Sequence, residues 1–107
     1  MDDRSRDEVD EWLLKLPARD ASRARFYLEL LAEQGSALPM PYVRSLGSGL
    51  RELWFHLRDE QRRITFWIAP HRRIVLLTTF RKQRQNERRE VERAQTVRQR
   101  VQQEFHK

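Results

Sequence analysis

Arg58 and Arg63 flank the short stretch "DEQ", and Arg81, Lys82 and Arg84 follow directly on the apolar run "RIVLLTTF". If the strands implied by these runs lie side by side, the cations at their ends converge on one sheet edge. Arginine suits a phosphate in such a place. Its planar guanidinium bridges two oxygens, and cleavage of RNA without a metal needs such groups to offset the charge that builds on the phosphorane as the 2′-OH attacks. His56, on the polar face of its strand, can move a proton near neutral pH. The plainer reading of the same residues is a set of solvated charges and a surface histidine. Trp54 and Trp67, expected side by side across the hairpin, either stack unpaired bases or simply pack. Trp12 is expected in the core.

Other chemistries lose their support. With no cysteine, disulfides, thiolate zinc sites and cysteine nucleophiles are ruled out. The histidines His56, His71 and His106 match no compact metal-ligand spacing. Neither a G-x-S-x-G elbow, a glycine-rich phosphate loop nor a paired-carboxylate signature occurs. What remains for phosphate chemistry is the cluster Arg58, Arg63, Arg81, Lys82 and Arg84 with His56, and Trp54 and Trp67 as candidate RNA contacts, with no metal or organic cofactor expected.

These residues need elements to position them. Val9, Trp12, Leu13 and Leu16 recur at helical spacing, which predicts a helix over 6–16 with Ser5 as N-cap and Pro17 closing it. Ala24, Tyr27, Leu28 and Leu31 predict a second helix over 20–34 that Gly35 stops. The two are expected to form a helical hairpin, followed by a Pro-rich connection, "GSALPMP". From Gly49 the period becomes two. Leu53, Phe55 and Leu57 share one face with Arg51, while Glu52, Trp54, His56 and Arg58 share the other. After the turn, Ile64, Phe66 and Ile68 alternate with Arg63, Thr65 and Trp67, so a hairpin places its apolar residues on the helices and its polar ones outward. "RIVLLTTF" lacks clean alternation, as expected of a central strand covered on both sides. A final helix over 86–105 carries a thin stripe of Val91, Ala94, Val97, Val101 and Phe105. That stripe either docks on the sheet or serves a partner, which makes Val91, Ala94, Val97 and Val101 the partner-binding candidates. The expectation is an α+β protein with an N-terminal helical hairpin, a three-stranded antiparallel meander and a C-terminal helix, in one domain over residues 1–107.

Length and charge fit this picture. A chain of 107 residues has room for one modest core and no large buried substrate cavity. Residues 1–40 hold six Lys/Arg against nine Asp/Glu, and residues 41–107 hold sixteen against seven, so −3 and +9 make the net +6. The basic part draws phosphate-rich partners, nucleic acid above all. A membrane surface ranks lower, because no helix joins a basic face to a broad bulky apolar one. The acidic start "MDDRSRDEVDEW" lacks a signal-peptide core, which makes the cytoplasm the expected compartment.

"LGSGLRELWF" and "RRITFWIAPHRRIVLLTTFRKQRQNERREVERA", preceded by "LLAEQG" and "LPMPYVRSLGSGL", resemble the phage-derived branch of RelE/HigB-like toxins. That family has a G-L-x-E-L strand, an aromatic/Arg hairpin, an apolar strand ending in F-x-K, and a Glu/Arg-rich helix. The matching residues here are Gly49, Leu50, Glu52, Leu53, Arg63, Phe80, Lys82 and Ala94, and the likeness runs over about residues 6–95. Trp54 stands where the family has an arginine, no tyrosine follows the last strand, and the family's N-terminal strand is expected to be absent. The resemblance implies a metal-independent endoribonuclease that cleaves messenger RNA in the ribosomal decoding site. It also implies a cognate helix-turn-helix antitoxin in a toxin–antitoxin hetero-oligomer. By position it gives Arg63 and Lys82 the scissile phosphate, with Arg81 and Arg84 as neighbours. Two other classes stay open. One is a non-catalytic RNA- or protein-binding regulatory module on the same fold, favoured by Trp54; the other is an adaptor that uses the C-terminal stripe.

Overall fold

The computed structural model describes residues 4–38, 42–83 and 85–105, without the side chains of 4–7 and 36. The chain order is α1 (Arg4–Leu14), α2 (Ala18–Gln34), β1 (Val43–Gly47), β2 (Leu50–Leu57), β3 (Glu60–Ala69), β4 (Arg73–Arg81) and α3 (Glu87–Phe105). The fold is α+β, with an antiparallel sheet ordered β1-β2-β3-β4. α1 begins at Arg4, so Ser5 lies inside the helix rather than at its N-cap. α2 starts just after Pro17 and stops where Gly35, at φ 52, donates its N–H to Leu31 O. No helix among the described residues is long and apolar enough to cross a membrane.

Three expectations need correction. First, the sheet has four strands rather than three. "VRSLG" forms β1, which pairs with β2 through a tight turn in which Gly47, Ser48 and Gly49 all have positive φ. Glycine at two of those positions removes the steric cost of the left-handed region. Second, the N-terminal helices are consecutive, but each packs mainly on the sheet, α1 on β4 and α2 on β2, rather than on the other. A sheet face offers their apolar stripes more surface than a second slender helix would. Third, β4 is an edge strand and not a central one. Its lack of alternation comes from α1 and α3 covering both faces, and from a bulge opposite Thr65/Phe66 that shifts the register.

The sheet therefore lies between two helical layers. On one side, Val9, Ala24 and Leu31 pack with Leu53, Phe55, Leu57, Ile64 and Phe66, and Trp12 joins this core partly buried, with the Arg62 guanidinium 4.5 Å from its ring centre. On the other side, α3 seals Leu50, Trp67, Val75 and Leu77 beneath Ala94 and Val101. The face expected to be polar and outward is thus covered: Glu52, Arg63, Thr65 and Thr78 are all buried. Thr65 and Thr78 satisfy each other across the bulge, hydroxyl to hydroxyl at 2.6 Å, with the Thr78 N–H also donating to Thr65 Oγ1 at 3.0 Å. At the β4 edge, Glu8 accepts the Thr79 N–H at 2.8 Å and pairs with Arg93 of α3 at 2.7 and 3.0 Å. This clasp links the two helical layers around the strand and occupies a donor that an edge otherwise offers to another chain.

The stripe on α3 is accounted for by this packing. Ala94 and Val101 are fully buried, Val91, Val97 and Phe105 pack around them, and Phe105 meets Trp67 edge-on at 5.2 Å. Val91, Ala94, Val97 and Val101 are therefore the lid of the chain's own core rather than a free face for a partner.

Candidate active site

One end of the sheet gathers charge. β2 and β3 pair Trp54 with Arg63 and His56 with Gln61, β3 and β4 pair Arg62 with Arg81, and the Lys82 N–H extends the ladder by donating to Gln61 O at 2.9 Å. An open groove of about 830 Å³ follows from this register, lined by Trp54, Asp59, Glu60, Gln61, Arg63, Arg81, Lys82 and Gln83. Asn86 fixes two of the lining residues, Gln83 and Arg81, through their backbone. Nearly buried, it accepts the Gln83 N–H at 2.9 Å and donates to Arg81 O at 3.1 Å, and its carbonyl starts α3 by accepting the Glu90 N–H. Asn86 thereby ties the end of β4 to the start of α3.

The cations differ in how free they are. Arg63 is 7% exposed and its Nη1 donates to Glu52, which is fully buried; its Nη2 donates to Gln61 at 3.2 Å, and its guanidinium lies 5.5 Å from the Trp54 ring centre. Arg44 of β1 stands opposite Glu52 in the register and donates through Nη2 to Glu52 Oε1 and to Glu87 Oε1, both at 2.8 Å. Glu87 also accepts from Lys82 Nζ at 3.2 Å and lies 3.6 Å from Arg63 Nη1. The Arg44 hydrogen bond, with help from Lys82, holds the Glu87 carboxyl below the usual carboxylate range. Arg81 is the least committed: its side chain is 56% exposed, and its partner Glu60 is 3.9 Å away.

The expected site residues separate accordingly. Arg63, Arg81, Lys82 and Trp54 come together at the groove. His56 is exposed beside Trp54, its ring edge-on at 5.9 Å, and is not among the residues lining the groove. Arg58 turns the other way, to Asp20 of α2 at 2.9 Å. Its positive φ of 56 in the β2–β3 turn accompanies that orientation, and it is not part of the groove. Trp67 is buried under α3 and pairs with Leu50, four positions along the strand from the Trp54–Arg63 pair, so the two tryptophans are not neighbours and Trp67 cannot stack a base. Arg84 and His106 lie outside the described residues.

Sequence reasoning missed Arg44, Glu87, Asn86 and the structural use of Glu52. Arg44 was invisible because its strand, Val43–Gly47, lies between the Pro-rich connection and the first expected strand and carries no clear period. Glu87 carried a signal, since an acid in the first turn of a helix is favoured by the macrodipole, but spacing alone does not say which cations it meets. Arg63, expected on an outward polar face, is instead part of the fold, because its partner Glu52 is buried.

The family model described as phage-derived Gp49-like proteins (DUF891) matches residues 11–102, from α1 to the last turns of α3. The chain belongs to this family. No curated protein matches it, and no solved structure does. The Gp49-like match takes in β1, every groove residue, including the cations Arg63, Arg81 and Lys82, and the neighbouring Arg44, Glu52 and Glu87.

Proposed function

We propose that this Gp49-like protein is the toxin of a type II toxin–antitoxin pair, a metal-independent endoribonuclease that cuts messenger RNA in the ribosomal decoding site. The observation that carries this reading is the groove where Arg81 and Lys82 stand beside the partly exposed Trp54, in a family associated with the toxins of toxin–antitoxin pairs. In the proposed reaction the 2′-OH attacks the adjacent phosphorus and the P–O5′ bond breaks. A 2′,3′-cyclic phosphate and a 5′-hydroxyl result. Lys82 faces the non-bridging oxygens, where negative charge grows. Arg81 holds a neighbouring phosphate, Trp54 supports an unpaired base, His56 beside Trp54 takes the 2′-OH proton, and the departing 5′-oxygen takes a proton from water. The partner is a helix-turn-helix antitoxin that covers the groove, as an acidic segment would do on a basic surface.

The burial of Arg63 against Glu52 favours a second reading, a non-catalytic RNA-binding module, because it removes one cation from direct chemistry. Controlled expression with and without a neighbouring helix-turn-helix gene separates the two. The nuclease reading expects growth arrest that the neighbour relieves, together with new messenger RNA ends inside translated regions. Arrest with intact messenger RNA would leave only the binding module.

A further inference from the structure

The carboxylate of Glu87 sits where three separate parts of the chain deliver cations. Arg44 comes from β1 at 2.8 Å, Lys82 from the β4–α3 turn at 3.2 Å, and Arg63 from β3 at 3.6 Å. Two of these cations already have another acid, because the buried Glu52 pairs with both Arg44 and Arg63. Glu52 is fully enclosed and cannot leave; Glu87 is 36% exposed, in the first turn of α3, where side-chain torsions alone can carry it into solvent. The seat is also rich in donors. Arg44 Nε and Arg63 Nε are buried with no acceptor, and neither reaches the equally unpartnered Glu52 Oε2, so both arginines keep a donor that the carboxylates as placed do not satisfy. Arg63 and Lys82 line the groove as well, so the seat opens onto the place where a strand would lie. The N-terminus of α3 adds a positive dipole end to the same spot.

We infer that Glu87 is an internal stand-in for a phosphate: its carboxylate holds the seat made by Arg44, Lys82 and Arg63, and an RNA phosphodiester binds there by displacing it. The identity of the ligand as RNA rests on the function proposed above; the seat itself rests on the geometry. Glu87 thereby restrains the site until a strand with enough other contacts to the groove arrives, and Arg44 becomes a phosphate-binding residue. If the carboxylate holds the seat for roughly nine-tenths of the time, it weakens apparent binding about tenfold, since affinity scales with the competent fraction.

The test measures binding of a short single-stranded RNA, with inorganic phosphate as competitor, to the wild-type protein and to Glu87→Gln, Arg44→Gln and the double variant, each checked by thermal unfolding. Glu87→Gln is expected to bind RNA about tenfold more tightly, with a salt slope steeper by roughly one phosphate contact and stronger competition by phosphate. Arg44→Gln should cost more affinity in the Glu87→Gln background than in the wild type, because only there is Arg44 fully available. A folded Glu87→Gln protein that binds RNA no better than wild type would overturn the inference, as would an equal cost of Arg44→Gln in both backgrounds. The assay needs no cleavage, so tighter binding by Glu87→Gln in a protein that cuts no RNA supports the seat while rejecting the nuclease.

Discussion

Arg63→Ala should destabilise the fold before it says anything about chemistry. Arg63 is 7% exposed and Glu52 fully buried, and Glu52 Oε1 takes hydrogen bonds from Arg63 and Arg44 while Oε2 has no partner. Removing one side of a buried ion pair leaves an uncompensated charge, which costs about 3–5 kcal/mol. Arg44 remains on Glu52 at 2.8 Å and keeps part of the compensation, so a value of about 3 kcal/mol, at the low end, is expected. In a domain of this size that lowers Tm by on the order of 15 °C. Circular dichroism melts and urea titrations at pH 7 would measure it, with Arg63→Ala/Glu52→Gln as the second variant. Neutralising Glu52 removes the stranded charge and should return at least about 1 kcal/mol. A wild-type Tm for Arg63→Ala, or a double variant no more stable than the single one, would refute the reasoning. Lost toxicity in Arg63→Ala therefore carries meaning only beside this measurement, and Arg81→Ala and Lys82→Ala are the cleaner probes of the groove.

Asn86→Ala removes two hydrogen bonds from a nearly buried side chain and should cost about 1–2 kcal/mol, read by urea unfolding, with faster hydrogen exchange at the Gln83 amide. Arg72→Gly should stabilise the β3–β4 turn by roughly 1 kcal/mol, since Arg72 has φ 61 directly after His71 at φ 65; an unchanged or lower Tm would count against this. Acid should weaken the fold partly through Glu87. Its carboxyl is held low by Arg44 and Lys82, so its contribution is complete above the unfolded carboxylate range and is lost as pH falls through the folded value. Glu87→Gln should accordingly flatten the acid limb of a stability–pH profile, and an identical limb in both proteins would contradict that.

Much of the architecture was legible because periodicity reports burial. The spacing of Val9, Trp12 and Leu13, and of Ala24, Tyr27 and Leu31, marked both N-terminal helices, and the alternation from Leu53 to Ile68 marked β2 and β3. The strand β1 was hidden because "VRSLG" has only Val43 and Leu46 as apolar residues and sits among prolines and glycines. It becomes a strand only because β2 offers an edge to pair with, which is tertiary information. Periodicity also identifies a face without naming what covers it. That is why Arg63, Thr65 and Glu52 looked solvent-facing until α3 closed over them. Register was the other gap: the tryptophans share a face of the sheet, but the pairing of Trp54 with Arg63 separates Trp54 from Trp67. The basic groove was visible as cations at strand ends, whereas the acids that temper it, Glu52 and Glu87, come from other elements and meet those cations only in the folded chain.

Cleavage of a defined messenger RNA on programmed ribosomes, mapped by primer extension and by the chemistry of the new ends, tests the central claim most directly. The wild-type protein should cut within the ribosome-bound message to leave a 2′,3′-cyclic phosphate and a 5′-hydroxyl, and Arg81→Ala/Lys82→Ala should lose the cuts while keeping a near wild-type Tm. An uncut message with the wild-type protein, or full cleavage by the folded double variant, would contradict the account.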